Sequence, residues 1–215
     1  MSVAVIADIV GSRRLADRPR AQKLLDEAIE RVEHDLPLAI SRLQPTVGDE
    51  QQATYATLPA ALISLLLLQL ALPDDVQCRF GVGIGTTAHV ASASGAIPEG
   101  PGWWAARDAI EHVHAKQQRA VPSARTWIVA APGEDDSMLS TVRLANAYLL
   151  ARDQLVGAMT ERERRLTYGR CRGVTQRELA RAEGITQPAV SQALASAGSA
   201  VIVEGMRALQ TEARP

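Results

Sequence analysis

The 215-residue sequence predicts an α+β domain followed by a small all-α one. Three observations predict it. Val3 to Val10 is an almost unbroken apolar, β-branched run and reads as a buried central strand. Strand-like and helix-like periodicities then alternate as far as Ala130, in the order β-α-β-β-α-β-α-β. From Asp136 onward the pattern is wholly helical, and arginines crowd in.

Arg18 to about Ile40 follows the first strand as a helix, with Leu24, Leu25, Ala28, Ile29 and Val32 at helical spacing. Ser41 to Val47 and Ala53 to Tyr55 read as two strands joined by a hairpin whose tip carries Gly48, Asp49 and Glu50. Leu58 to Leu72 is a helix, with Pro59 in its first turn and Pro73 stopping it. It is short for a bilayer span and interrupted by Gln69, so it reads as a core helix. Gln77 to Thr87 is a strand. Its alternating glycines, Gly81, Gly83 and Gly85, leave one face bare, as where something packs or binds closely against the backbone. Ser92 to Gly102 is a Gly/Pro loop, Trp104 to about Ala120 a helix, and Arg125 to Ala130 a strand. The order suggests an antiparallel or mixed sheet with helices on one face, a ferredoxin-like or palm-like domain over residues 1–135. Residues 136–159 form a connecting or dimerisation helix, and residues 160–215 the all-α domain.

In that second domain three threonines precede helical segments. Thr160 with Glu163, and Thr175 with Glu178, fit the capping box. Thr186 or Gln187 caps the third segment, with Pro188 in its first turn. Ala180, Gly184 and Val190 have helix-turn-helix spacing. The alanine lets two helices cross closely, the glycine permits a left-handed turn, and Ile185, Val190 and Leu194 close a small core. The second helix then presents Gln187, Ser191 and Gln192, beside Thr186, for base edges in a major groove. Arg170, Arg172, Arg177 and Arg181 are placed for phosphates. Glu161, Glu163, Glu178 and Glu183 dilute this basic patch, so modest, salt-sensitive DNA affinity is expected unless the protein is a dimer. A helical hairpin serving dimerisation is the plainer alternative.

The net charge of −1 excludes a whole-molecule polyanion binder, so any nucleic-acid surface is local. Cys78 and Cys171 lie far apart, match no metal spacing and read as reduced thiols. The first ten residues lack a basic flank and a cleavage signature. A cytoplasmic protein with no membrane partner is expected. His112 and His114 do not share a helix face, and His34 and His89 are isolated, so no histidine metal site is expected.

Asp8 lies near the end of the first strand, where a charge is costly unless paired or bound to a cation. If that strand neighbours the hairpin, Asp8 and Asp49 converge at one sheet edge. With the Ile9 carbonyl they make a hard oxygen site for Mg²⁺ or Mn²⁺, which in turn suits a nucleotide's phosphates. A polar hairpin tip without a ligand is the alternative. Gly11, Ser12, Arg13 and Gly48 are candidates for phosphate contact. Arg13 and Arg14 equally suit a solvated loop, and Ser12 a turn. Trp103 and Trp104 read as a packing anchor or lid before a base-stacking platform.

Several stretches resemble known families. Thr160 to Leu194 resembles the DNA-binding part of sigma-factor region 4 and of LuxR-type regulators, in which a T-x-R-E-R helix precedes T-x-x-E-[IL]-A and G-[IV]-[ST]. ADIVGS, followed about forty residues later by TVGDE, resembles the metal-binding strand and hairpin of class III nucleotide cyclases, and GDE is similar to the GGDEF diguanylate cyclases. RFGVGIGT and GWWAARDAIE are similar to a cyclase strand and helix. That likeness implies metal roles for Asp8 and Asp49, a carbonyl from Ile9, and for Arg107 the arginine that offsets charge on the reacting phosphate. The cyclase asparagine falls on Trp103 and the base-reading lysine on Pro45, so a nucleotide site without turnover is the expectation. A divergent nucleotide cyclase or nucleotidyltransferase is the alternative. End to end, ADIVGSR, the GDE-Q hairpin, the GxGxG strand, GPxxWxARDAI and the helical tail resemble the SatD family. Together these resemblances imply a homodimeric DNA-binding regulator whose palm-like domain binds a nucleotide with Mg²⁺.

Overall fold

In the computed structural model, residues 2–46, 50–92 and 95–213 are described. The chain runs β1 (Ser2–Ile9), α1 (Arg18–Asp35), β2 (Ala39–Pro45), β3 (Gln51–Tyr55), α2 (Leu58–Ala71), β4 (Cys78–Gly85), β5 (Ala88–Ser92), β6 (Gly95–Glu99), α3 (Pro101–Arg119) and β7 (Thr126–Ala130). The helices α4 (Asp136–Ala158), α5 (Glu161–Cys171), α6 (Gln176–Glu183), α7 (Gln187–Ser196) and α8 (Ser199–Ala213) complete it. Among the described residues no single helix is long and apolar enough to cross a membrane.

β1 carries no charge before Asp8, so both its faces can be buried, and it takes the middle of a five-stranded mixed sheet ordered β2-β3-β1-β4-β7. β1 is antiparallel to β3 and to β4, whereas β4 and β7 are parallel. Val3, Val5, Ala7 and Ile9, with Val82 and Ile84, face α1 and α2. Ala4 and Ile6 face Trp103, Ala106 and Ile110 of α3. Helices therefore cover both faces, correcting the expected one-sided cover. A central strand apolar on both faces needs a layer on each. The bare glycine face of β4 is where α3 lies. A Cβ on Gly83 would collide with the backbone of Gly102 and Ala106, and one on Gly81 with the backbone of Ala106 and Ile110. Glycine here lets a helix backbone press on a strand backbone.

Three boundaries differ from the sequence reading. α1 stops at Asp35 because Leu36 precedes Pro37, and a residue before proline leaves the helical region. The expected Gly/Pro loop holds a two-stranded sheet, with β5 antiparallel to β6 and Val90 opposite Ile97. Pro98 is tolerated there because both strands are edges. The connecting helix, expected over residues 136–159, is α4 and ends one residue earlier, at Ala158.

α4 lies along the outer edge of β7 and satisfies it as a strand would. Asn146 Oδ1 accepts from the Ile128 N–H at 2.8 Å, and its Nδ2 donates to the Ile128 carbonyl at 2.9 Å. Asp153 Oδ2 accepts from the Arg125 and Thr126 N–H groups at 2.7 and 2.8 Å. Buried Arg152 balances that carboxylate, 2.7 Å from Asp153 Oδ1, and donates to Thr126 Oγ1.

α6 and α7 meet across a turn at Gly184, which is left-handed at φ 64°. Leu166, Leu179, Ala180, Val190 and Leu194 form a small core of their own. α5 and α8 instead lie on α2, and Tyr168, Ile202 and Met206 join the main core. Two polar clusters pin this docking. Asp35 accepts from the Tyr168 hydroxyl at 2.7 Å and pairs with Arg172 at 3.0 Å. Arg164 donates to the Leu72 carbonyl at 3.2 Å and pairs with Asp74 at 2.6 Å.

Candidate functional site

Four alternating charges meet at the sheet end where β1 finishes. Asp8 is the cross-strand partner of Arg79 on β4. Their fork is bidentate, with Arg79 Nε 2.9 Å from Asp8 Oδ1 and Nη2 2.8 Å from Oδ2. Arg79 is only 8% exposed, so Asp8 is the carboxylate that makes its burial tolerable. Arg79 Nη1 also reaches Gln117 of α3 at 3.3 Å. Beside this pair, Arg107 of α3 forks onto Glu50 at the foot of β3, at 2.5 and 2.7 Å. Gln52 supports Glu50 at 2.9 Å. The hydrogen bonds that Glu50 accepts raise the Arg107 pKa, and the charges of Glu50, Glu111 and Asp8 add to it. Arg107 is placed there because the glycines of β4 let α3 approach. Close by in the sequence, Gln52 Oε1 and Trp103 Nε1 are buried without a hydrogen-bond partner among the described residues.

The arrangement can offer a half-exposed guanidinium fork, which suits a phosphate or carboxylate. As arranged, the described residues do not fit a bound Mg²⁺ or Mn²⁺. Both Asp8 oxygens hold Arg79, both Glu50 oxygens hold Arg107, and no three His, Cys, Asp or Glu side chains cluster among the described residues. Asp49 and Gly48 lie outside the described residues, so the meeting of Asp8 with Asp49 does too. Ile9 is buried at the end of β1. Gly11, left-handed at φ 69°, opens a 3-10 turn over Ser12–Arg14, closed by Arg14 N–H on the Gly11 carbonyl at 2.8 Å. The side chain of Arg13 lies outside the described residues.

Sequence reasoning placed Glu50 at the hairpin tip without a site role and passed over Arg79. The arginine was visible at the head of the GxGxG strand, but only the strand register sets it against Asp8.

In the tail, both capping boxes form. Thr160 and Thr175 N–H donate to Glu163 and Glu178 at 2.8 Å, and the threonine hydroxyls accept in return at 3.3 Å. These bonds lower the pKa of both glutamates. Thr186 is the third cap, accepting from Ala189 N–H at 3.3 Å. On α7, Val190 and Leu194 are buried while Gln187, Ser191 and Gln192 are exposed. Gln187 donates to Gln176 of α6 at 3.1 Å. Arg177 and Arg181 are exposed on α6. Arg172 is engaged by Asp35, and Arg170 by the Val174 carbonyl at 2.6 Å. All four diluting acids are used internally, Glu161 by pairing with Arg165 at 2.8 Å. Glu163 and Glu178 cap helices, and Glu183 is forked by Arg165 at 2.8 and 2.9 Å.

Against known proteins, the profile of the SatD family matches residues 2–209. No curated protein matches the sequence. Among solved structures, that of a bacterial light-regulated adenylyl cyclase aligns with a TM-score of 0.41 and 11% identity, over 56% of this chain and 71% of that one.

Proposed function

The chain belongs to the SatD family, and from that footing we propose that it is a cytoplasmic DNA-binding regulator: α5 to α8 read DNA as a helix-turn-helix unit, and the palm-like sheet domain senses a ligand. One observation carries this reading. α7 keeps Val190 and Leu194 for its own small core and leaves Gln187, Ser191 and Gln192 uncovered, while Arg177 and Arg181 are exposed on α6, Arg181 near the capping carboxylate of Glu178. Amide and hydroxyl side chains on an exposed helix, flanked by arginines, suit base edges and phosphates respectively. A homodimer is part of the proposal, because such units meet paired half-sites.

The test is selection of bound DNA from a random pool, followed by anisotropy titrations. Gln187→Ala or Gln192→Ala is expected to relax sequence choice. Arg177→Ala or Arg181→Ala is expected to weaken all sequences alike and reduce the salt slope by about 1. Arg172→Ala is expected to act less on DNA, because Asp35 already holds that side chain. No enriched sequence, or unchanged binding in Arg181→Ala, would sink the reading.

For the sheet domain we infer a nucleotide whose phosphate takes Arg107 in place of Glu50. A Mg²⁺ or Mn²⁺ ion at Asp8 would have to displace Arg79. Nucleoside triphosphates with chelator present are expected to raise the melting temperature of the wild type but not of Arg107→Ala. Metal-dependent turnover of a triphosphate, lost in Asp8→Asn, would instead favour a divergent nucleotide cyclase or nucleotidyltransferase.

A further inference from the structure

We propose that the groove between α2, α4 and the end of α8 binds an uncharged, largely apolar small molecule. The groove holds about 680 Å³, within the range of small-molecule sites. Val3 and Ile84 of the sheet line it, with Leu58 and Leu62 of α2 along one side. Met138 and Leu144 of α4 stand on the other, and Leu209 of α8 borders it. Leu144 is 74% exposed, an apolar side chain at the rim that none of the described residues covers.

Charge and hydrogen bonding set the class of ligand. Among the described residues no charged one lines the groove, whereas other concavities of this molecule present such groups as Arg125 with Asp153, Arg170 with Arg207, and Asp35 with Arg172. Its polar wall atoms are mostly occupied. Thr57 Oγ1 caps α2 at the Ala60 N–H, and Thr141 Oγ1 donates to the Ser137 carbonyl. Tyr148, which also lines the groove, has a hydroxyl without a partner among the described residues, against Gly205 of α8. A phosphate or carboxylate would find no counter-charge here, and desolvating it would be costly. An apolar molecule would lose water from both surfaces at about 25 cal/mol per Å².

Size separates a small molecule from a protein partner. The exposed wall of the groove is a small fraction of the roughly 800 Å² per partner that a stable protein interface takes. The groove touches the sheet, the connecting helix and the tail, so an occupant would bridge all three. The proposal does not rest on the DNA reading, and neither outcome of that test bears on it.

The experiment titrates the intact protein with 1-N-phenylnaphthylamine, a neutral apolar fluorophore. Saturable one-to-one enhancement is expected, with a ligand-dependent rise in melting temperature. Thr141→Trp, which fills the groove from an exposed wall position, is expected to weaken binding at least tenfold while melting within a few degrees of the wild type. Arg143→Trp, on the same helix but outside the groove, is expected to bind normally. Absence of saturable binding, or equal binding in Thr141→Trp, overturns the proposal. So does a self-association that Leu144→Glu disperses in a protein that does not bind the fluorophore, since the groove would then be a contact between copies.

Discussion

Asp8 illustrates what a single residue announces and what it conceals. A carboxylate at the end of an apolar strand declared in the sequence that it needed a positive partner, and that much was legible. The partner was not, because Arg79 is 71 positions away and is brought opposite only by the register of two antiparallel strands. A cation and a guanidinium satisfy the same requirement, and sequence spacing alone does not choose between them. Asp8→Asn keeps the shape but leaves the nearly buried Arg79 without its counter-charge. It is expected to cost about 3 kcal/mol, or about 10 °C in melting temperature, in a denaturation experiment. Cys171 gives a second residue-scale expectation. Burial pushes its thiol up to about 12, so thiolate is scarce at neutral pH. Alkylation of the folded protein at pH 8 should be far slower than that of the denatured chain.

At the scale of elements, the glycines of β4 were read as a site of close approach, and the approaching body is α3. That reading was correct in kind because a missing side chain signals proximity without saying to what. Gly83→Ala should therefore push α3 off the sheet, costing on the order of 3 kcal/mol and loosening the Glu50–Arg107 fork with it, as a lower denaturation midpoint would report. The β5–β6 hairpin was missed because Gly95 and Pro98 outweighed a short Val90–Ile97 alternation. The edge-sealing role of Asn146 carried no periodic signal at all. The capping boxes, by contrast, are local, and sequence spacing found them outright. Their glutamates titrate below the ordinary 4.5 in the fold. A carboxylate depressed on folding stabilises fully above its unfolded pKa, and that support is lost as pH falls through the folded value. Amide exchange at the start of α5 and α6 is expected to quicken below about pH 4.5, and Thr175→Val should abolish that step for α6 alone.

For the whole molecule, the tail is bound into the main core as well as having its own. Tyr168, Ile202 and Met206 cover α2, a helix whose residues from Ala60 to Leu70 are all buried. Such a helix, apolar all round, needs neighbours on every side. A chain ending at Met159 would expose one side of it, and is expected to aggregate in size-exclusion runs at concentrations where the full chain stays dispersed. A soluble, cooperatively melting fragment would contradict the shared core.

The seal that α4 places along β7 limits how copies can join by adding strands. With Asn146 and Asp153 consuming the donors and acceptors there, the five-stranded sheet keeps one open border, at β2, where Ile40 stands 68% uncovered. Growth of the five-stranded sheet through β2 uses up its one open border in each copy, so joining by that route closes at two.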